Sequence, residues 1–313
     1  MKKKIFYFSF FLIIVTLISF FTPAEREKTT GKLEILSTTA MIHSLVKEIV
    51  QDYTTTNLLM EGEADPHSYQ MKKGDREKIV NADIIFGNGL SLEHNPSLIY
   101  LLRDKGAVFL GDRILKKSKL LIITSQKEID PHIWMDLSLM KEAVDIIEQE
   151  VCQKDPQNKG VYKLNASILK NKMDVLDKKI LSLMAEIPED KRYLVSSHDA
   201  FNYFVRRYFN SETEGRLFSM QGLSPEAEVS LKRMNKVIDF IKNHKVTTIF
   251  YESNLPKDCL YKIIEVCKGF SIEVKICEDP LYGDTLGSMT YLEMIEHNAN
   301  VIAKNLKGGQ KIG

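Results

Sequence analysis

A single apolar stripe runs through the middle of the chain and restricts how the remainder can be arranged. Its members recur at spacings of three and four residues, which indicates one buried face of an α-helix. A helix over 162–187 would be about 39 Å long, at ~1.5 Å per residue, and Pro188 would end it. This length exceeds that of an ordinary crossover helix, so we expect a spine that joins two lobes. The stripe consists of Tyr162, Ala166, Leu169, Met173, Leu176, Ile180, Leu183 and Ile187.

Short apolar runs alternate with helical patterns on both sides of this stripe. Such alternation predicts parallel sheets covered by helices. We therefore predict an α/β fold of two lobes, each with a four-stranded parallel sheet and flanking helices, joined by the long spine helix. The predicted limits are 25–137 for the N-terminal lobe, 138–188 for the connecting helices including the spine, and 189–313 for the C-terminal lobe. The predicted strands are 33–37, 57–60, 83–86, 107–110, 193–197, 216–219, 247–251 and 272–276.

The first 24 residues have the pattern of an export signal. Three lysines precede an uncharged apolar run over 5–21, and 22–24 supplies a small-residue cleavage site. We predict that a signal peptide over 1–24 is cleaved and that the mature protein is periplasmic. An uncleaved membrane anchor is the alternative, because the run is close to spanning length. The segment contains no Cys, which excludes a lipid-modified cysteine there.

Charge and cysteine content limit the other function classes. The formal net charge of the 313-residue chain is +1, and no basic tract stands out, so nucleic acid is not an expected partner. Cys259 and Cys267 lie on one predicted helix, too far apart for a disulfide. Cys267 with Cys277 is the more plausible pair among the four cysteines, and buried free thiols are an equally supported alternative.

The tripeptide Asp-Pro-His occurs twice and ends at His67 and at His132. Proline fixes its own φ and biases the preceding residue towards an extended backbone. Each corner therefore presents an imidazole directly after a restricted stretch of chain. Because His is a common metal ligand, the repetition favours two ligand loops. Two unrelated turns are the alternative, since Asp-Pro is ordinary turn chemistry.

Four residues stand at the positions where an α/β protein binds its ligand. His67, His132 and His198 each follow a predicted strand or close a lobe, and Asp284 follows the final strand. Ligands bind at the carboxyl ends of parallel strands. Three imidazoles and one carboxylate suit Zn, Mn or Fe. The remaining histidines have surroundings typical of surface or capping residues: His43, His94, His244 and His297.

The chain resembles the metal-binding solute-binding proteins of bacterial ABC transporters, the cluster A-I or TroA-like family that carries zinc, manganese or iron. The resemblance extends from Leu33 to Leu306, and its specificity lies in the order of the motifs around the spine. The matching stretches are 64–69 (ADPHSY), 88–89 (NG) with 92–93 (LE), 130–136 (DPHIWMD), 197–201 (SHDAF) with 203–204 (YF), 222–228 (GLSPEAE) and 281–287 (LYGDTLG).

The resemblance implies two α/β lobes with the metal at their interface. Carried over by position, the implied metal ligands are His67, His132, His198 and Asp284. The implied partners are the metal ion, one per chain, and the membrane permease of an ABC transporter, and we expect a monomer. Three neutral ligands and one anion leave a bound dication with net positive charge, so Glu252 is a candidate second-layer acid. The segment 70–79 lacks the His-rich loop that zinc-dedicated members often carry.

A further helix start is predicted before Leu231. Ser224 and Pro225 are typical of an N-cap followed by Pro at the first helical position, leading to a helix through Ile241. An acid near a helix N-terminus is favourable, so Glu226 is expected to be structural or to face the permease. We do not expect it to bind metal.

Two other functions are alternatives to metal transport. A metal-dependent hydrolase could use the same four residues with an open position on the metal. However, the chain has no HExxH, no GxSxG and no GxxxxGK[ST]. A surface adhesin without metal leaves the four residues unexplained. We therefore predict a solute-binding protein without enzymatic activity.

Overall fold

Parallel strands and covering helices account for most of the described chain. The computed structural model describes residues 31–119, 121–123, 127–209, 215–225 and 230–307. The predicted signal peptide over 1–24 and Glu226 lie outside these residues. Among the described helices, none combines the length and the apolar character needed to cross a membrane.

The first half forms a four-stranded parallel sheet in the order β2-β1-β3-β4. Its four strands are β1 (Glu34–Ser37), β2 (Thr55–Leu58), β3 (Ile84–Gly87) and β4 (Val108–Phe109). Side chains alternate between the two faces of a strand. Ile35 and Ile84 thus enter the large central core, while Leu36 and Ile85 enter a smaller core on the other face. Burial on both faces explains the consecutive apolar residues in β1 and β3, whereas β2 is mainly polar and half-buried.

The second half contains two parallel pairs rather than one continuous ladder of four strands. Its strands are β5 (Leu194–Ser196), β6 (Leu217–Ser219), β7 (Thr248–Ile249) and β8 (Lys275–Ile276). β5 pairs with β6, and β7 pairs with β8. The N–H of Phe250 donates to the carbonyl of Val195 at 2.8 Å, which joins the two pairs at one point. All eight predicted strands are present; β5 to β8 are shorter than predicted, and β2 lies two residues earlier than the predicted 57–60.

Ten α-helices are described around these strands. The first six are α1 (Ala40–Val50), α2 (Asp75–Asn81), α3 (Pro96–Asp104), α4 (Leu110–Leu115), α5 (Leu137–Lys154) and α6 (Lys159–Ala185). The last four are α7 (Asn202–Tyr208), α8 (Leu231–His244), α9 (Asp258–Gly269) and α10 (Tyr291–Leu306). The predicted cap at Ser224 is wrong for α8, because the side chain of Ser230 accepts the N–H of Arg233 and starts the helix at Leu231.

The predicted spine is α6, with 27 residues and a length of about 40 Å. Its apolar face is buried in the central core, which also contains residues of α1, α5 and α10. Asn165 donates to the carbonyl of Ile49 in the first half at 2.9 Å. Asp177 accepts two bonds from the Arg207 guanidinium in the second half, at 2.7 and 2.5 Å. One rigid helix therefore packs against both halves.

The four cysteines are free thiols in the structure. Cys267 packs in the outer core of the second half, whereas Cys277 belongs to the central core. The pairing of Cys267 with Cys277 is therefore absent, and the free-thiol alternative describes the structure.

Candidate metal centre

The four candidate residues converge on one point between the two halves. His67 lies on the loop after β2, and His132 precedes a short 3-10 turn at Ile133–Met135. His198 follows β5, and Asp284 follows β8. Their potential ligand atoms all lie within 4.8 Å of one another, and all four residues are buried. The structure thus brings together residues up to 217 positions apart (284 − 67).

The separations between these atoms match those around a tetrahedral metal ion. His132 Nε2 lies 3.1 Å from His67 Nε2 and 3.3 Å from His198 Nε2. The Asp284 oxygens lie 3.8 Å from His67 Nε2, 3.5 Å from His132 Nε2 and 3.2 Å from His198 Nε2. Ligands held about 2.1 Å from one zinc ion in a tetrahedron are roughly 3.4 Å apart. The cluster therefore has the dimensions of a first coordination layer.

The carboxylate of Asp284 lacks the hydrogen-bond partners that a buried polar group normally has. Its side chain is buried, yet neither carboxylate oxygen accepts a well-aligned hydrogen bond from the described residues. Buried polar atoms nearly always have partners, and an unsatisfied pair in a cluster points to an ion. A bound cation would satisfy both oxygens. The residues present fit a transition metal by both donor type and spacing.

The two Asp-Pro-His corners share one backbone device. The N–H of His67 donates to Asp65 Oδ1 at 2.8 Å, and the N–H of His132 donates to Asp130 Oδ1 at 2.9 Å. In each, the Asp side chain accepts a backbone N–H two residues ahead, which is a known turn pattern of Asp. This turn therefore fixes the backbone position of each His.

Asp130 has a second role that the sequence reasoning missed. Its Oδ1 lies 2.7 Å from His132 Nδ1, so that nitrogen donates and Nε2 offers its lone pair to the centre. Asp65 instead accepts from the hydroxyl of Ser68. The sequence contained a signal for this contact, because Asp-Pro-His places a carboxylate two residues before the imidazole of His132.

The His132 corner is anchored mainly to the second half of the molecule. Asn202 donates to Asp130 Oδ2 at 2.9 Å, and Tyr203 donates to the Asp130 carbonyl at 2.8 Å. Trp134 Nε1 donates to the Gly283 carbonyl at 2.7 Å. These bonds hold the His132 corner against the part of the second half that carries His198 and Asp284.

Glu252 lies behind His198 and accepts its backbone N–H, whereas its contact with the ring nitrogen Nδ1 is a close approach without hydrogen-bond alignment. Its Oε2 lies 2.8 Å from His198 Nδ1, and its Oε1 accepts the His198 N–H at 2.9 Å. The side chain is fully buried. The position supports the sequence-based suggestion that Glu252 is a second-layer acid. Two buried carboxylates thus stand behind the four central residues.

Burial and charge set the protonation of these groups. Burial lowers the pKa of His67 to about 3, against the opposing attraction of Asp284. Burial would raise the pKa of Asp284, but the neighbouring histidines hold it well below its usual range. Burial also opposes the charged form of His198, yet Glu252 and Asp284 raise its pKa well above the ordinary value. A neutral His67 and an ionised Asp284 are the forms in which these two groups bind a cation.

Gly283 is required by the close approach of its neighbours. A Cβ there would clash with Glu252 Oε2 and lie 3.0 Å from His198 Cε1. We expect Gly283→Ala to displace both side chains and to weaken metal binding by roughly tenfold, the lower range for a disturbed second layer. Isothermal titration with Zn(II) measures the effect, and Gly160→Ala, at a position with open space, is the matched control. Equal affinities in both variants would contradict this expectation.

Two of the other histidines have partners outside the cluster, and His94 lines the same cleft as His67 without joining the group of four. His244 stacks on Tyr193 with ring centroids 4.1 Å apart, and His297 Nε2 lies 2.9 Å from the Pro280 carbonyl. The expectation for Glu226 stays a prediction, because that residue lies outside the described part of the chain.

The structure has two α/β halves that share a spine helix and enclose a buried cluster of His and Asp. This architecture defines the class of metal-binding solute-binding proteins. The chain belongs to the ZnuA family, described as zinc-uptake complex component A, periplasmic, whose profile matches residues 35–305. The metal-binding protein YtgA of Chlamydia pneumoniae is 38% identical over 282 residues, which cover 88% of this chain and 86% of YtgA.

Solved structures of relatives have the same fold. Fe(III)-bound YtgA from Chlamydia trachomatis matches with a TM-score of 0.83 at 34% identity, covering 89% of this chain and 99% of that one. The periplasmic zinc-binding protein TroA from Treponema pallidum matches with a TM-score of 0.81 at 29% identity, covering 88% and 99%. The predicted family and the predicted two-lobed α/β fold are confirmed.

Proposed function

We propose that this protein captures one Zn, Mn or Fe ion outside the cytoplasm and delivers it to the permease of an ABC transporter. The observation that carries the proposal is the buried meeting of His67, His132, His198 and Asp284 within 4.8 Å. The unsatisfied oxygens of Asp284 support a cation there. The protein is proposed to act in the periplasm as a monomer, after removal of residues 1–24.

Capture replaces the water shell of the ion with protein ligands. Three imidazole nitrogens and one carboxylate supply four donors, and the ion is the transported cargo. A dication with Asp284 alone would leave one net positive charge in a buried site. Asp130 and Glu252 lie behind two of the ligands and offset that charge. Because α6 packs against both halves, we expect capture to involve small loop movements rather than a wide hinge closure.

The donor set admits several metals. Imidazole suits Zn and Fe, and carboxylate suits Mn. By affinity alone Zn exceeds Mn and Fe(II) at a given site, so availability decides which ion is carried. The relatives differ in the same way: the YtgA structure holds Fe(III), and TroA is described as zinc-binding.

Metal analysis tests the proposal directly. The protein is purified without added metal, its metal content is measured, and Zn(II), Mn(II) and Fe(II) then compete for the metal-free form. We expect one ion per chain. Absence of binding for all three ions would overturn the proposal. Hydrolytic turnover of ester or phosphoester substrates by the loaded protein would favour the hydrolase alternative.

A further inference from the structure

Glu63 connects the loop that carries His67 to the opposite half of the molecule. Its Oε2 accepts the hydroxyl of Thr285 at 2.6 Å and the hydroxyl of Ser253 at 3.0 Å. We propose that this contact, the Glu63 latch, positions His67 against the other three ligands and sets the rate at which the metal ion leaves. The inference rests on the proposed function and adds a residue that acts on metal release.

The latch matters because His67 is otherwise fastened to its own half. The bonds around its corner are local: Asp65 accepts from the N–H of His67 and from the hydroxyl of Ser68. Further along the same loop, Tyr69 donates to Asp75 at 2.8 Å, again within the first half. In the described chain, Glu63 accepts the hydrogen bonds that tie 60–69 to residues beyond 190. The residues on either side of His132, by contrast, have several bonds to the second half, made by Asp130 and Trp134.

The two partners of Glu63 stand next to the site itself. Thr285 follows Asp284, and Ser253 follows Glu252, the acid behind His198. The two hydroxyls lie 3.2 Å apart, so one carboxylate oxygen engages both at once. A single side chain from the His67 loop thus contacts the neighbours of one proposed ligand and of the acid behind another. Loss of this contact frees the loop without touching any ligand.

His67 is also the ligand through which an ion would leave. It is 5% exposed, whereas His132 and His198 are completely buried. Of the four residues, His67 lines the cleft of about 1040 Å³ between the halves. Movement of its loop therefore opens the coordination layer towards solvent. The other three ligands can keep their arrangement, since the His132 corner is bonded to the second half.

Release and capture rates separate this role from a general structural one. Trp134 is the only tryptophan, and its ring lies 5.1 Å from that of His132, so its fluorescence reports metal binding. Zn(II)-loaded protein is mixed with excess chelator by stopped flow, at chelator concentrations where the rate no longer depends on them. Capture is followed by mixing the metal-free protein with Zn(II).

We expect Thr285→Val to release Zn(II) about threefold to tenfold faster, the range for one lost hydrogen bond. Glu63→Ala removes the bonds to both Thr285 and Ser253, so its release should be at least as fast. The capture rate should stay unchanged, because the latch acts on the closed state. The double variant should release no faster than Glu63→Ala, since both changes break the same contact. Glu63→Gln keeps an acceptor oxygen and should fall between wild type and Glu63→Ala.

Glu61→Ala is the matched control. Glu61 carries the same charge on the same loop and pairs with Lys78 in the first half. Its release rate should equal that of the wild type. Thr285→Val changes no charge, so acceleration in that variant excludes a simple loss of attraction for the cation.

Two results overturn the latch. One is an unchanged release rate in both Glu63→Ala and Thr285→Val. The other is a double variant whose acceleration is the product of the two single effects, which would show independent actions. Failure of the wild-type protein to bind Zn(II), Mn(II) and Fe(II) would instead overturn the proposed function, and it is established before any variant is compared.

Discussion

Replacing His132 with Ala is expected to reduce the affinity for Zn(II), Mn(II) and Fe(II) alike by on the order of a hundredfold or more. Changes in the second layer of metal sites alone cost about 10–100-fold, and His132 is a direct ligand in the proposed site. Its Nε2 lies between those of His67 and His198, and its side chain is completely buried. The substitution also leaves the buried Asp130 carboxylate without its imidazole partner. Competition titrations against a chelator of known affinity measure the loss.

His244→Ala is the matched control for this variant. His244 stacks on Tyr193 and has no atom in the cluster, so the same substitution there should leave all three affinities unchanged. Circular dichroism and thermal unfolding of both metal-free variants verify that the fold is retained. Wild-type affinities in a folded His132→Ala protein would remove His132 from the site.

Asp284→Asn is expected to change the order of metal preference. The substitution keeps the size of the side chain and one oxygen but removes the negative charge. Mn(II) and Fe(II) depend more on carboxylate than Zn(II), for which imidazole suffices. We therefore expect roughly a tenfold or greater loss for Mn(II) and Fe(II) and a smaller loss for Zn(II). Titration of each metal into the variant and the wild type measures the difference.

A purely structural role for Asp284 predicts another result. If the side chain only stabilised its turn, the variant would lose about 1 kcal/mol of stability, as lost capping does, with equal affinities for all three metals. Thermal unfolding of the metal-free protein tests this alternative. Asp279→Asn is the control, because Asp279 pairs with Lys304 at the surface.

Local patterns predicted the elements of this protein well. The stripe on α6 is visible because a helix buries residues three and four apart, a rule that needs no knowledge of the rest of the chain. The start of α8 was predicted incorrectly from Ser224 and Pro225. That signal was as strong locally as the cap that forms at Ser230, and the choice between them depends on the surrounding structure.

Local sequence patterns also singled out the four residues of the candidate site. His67 and His132 could be singled out because Asp-Pro-His restricts a short stretch of backbone, and His198 and Asp284 because they follow strands. The sequence by itself determined the alternating strands and helices and the spine, and it singled out these four residues as candidates. All of these are set by propensities within a few residues of one another.

Only the tertiary structure decided how the site is supported. The bond from Trp134 to Gly283 spans 149 residues, the contact of Glu252 with His198 spans 54, and that of Glu63 with Thr285 spans 222. No local periodicity encodes which distant side chains meet. They meet because α6 and the shared apolar core fix the two halves against each other, and burial then requires each polar group to find a partner.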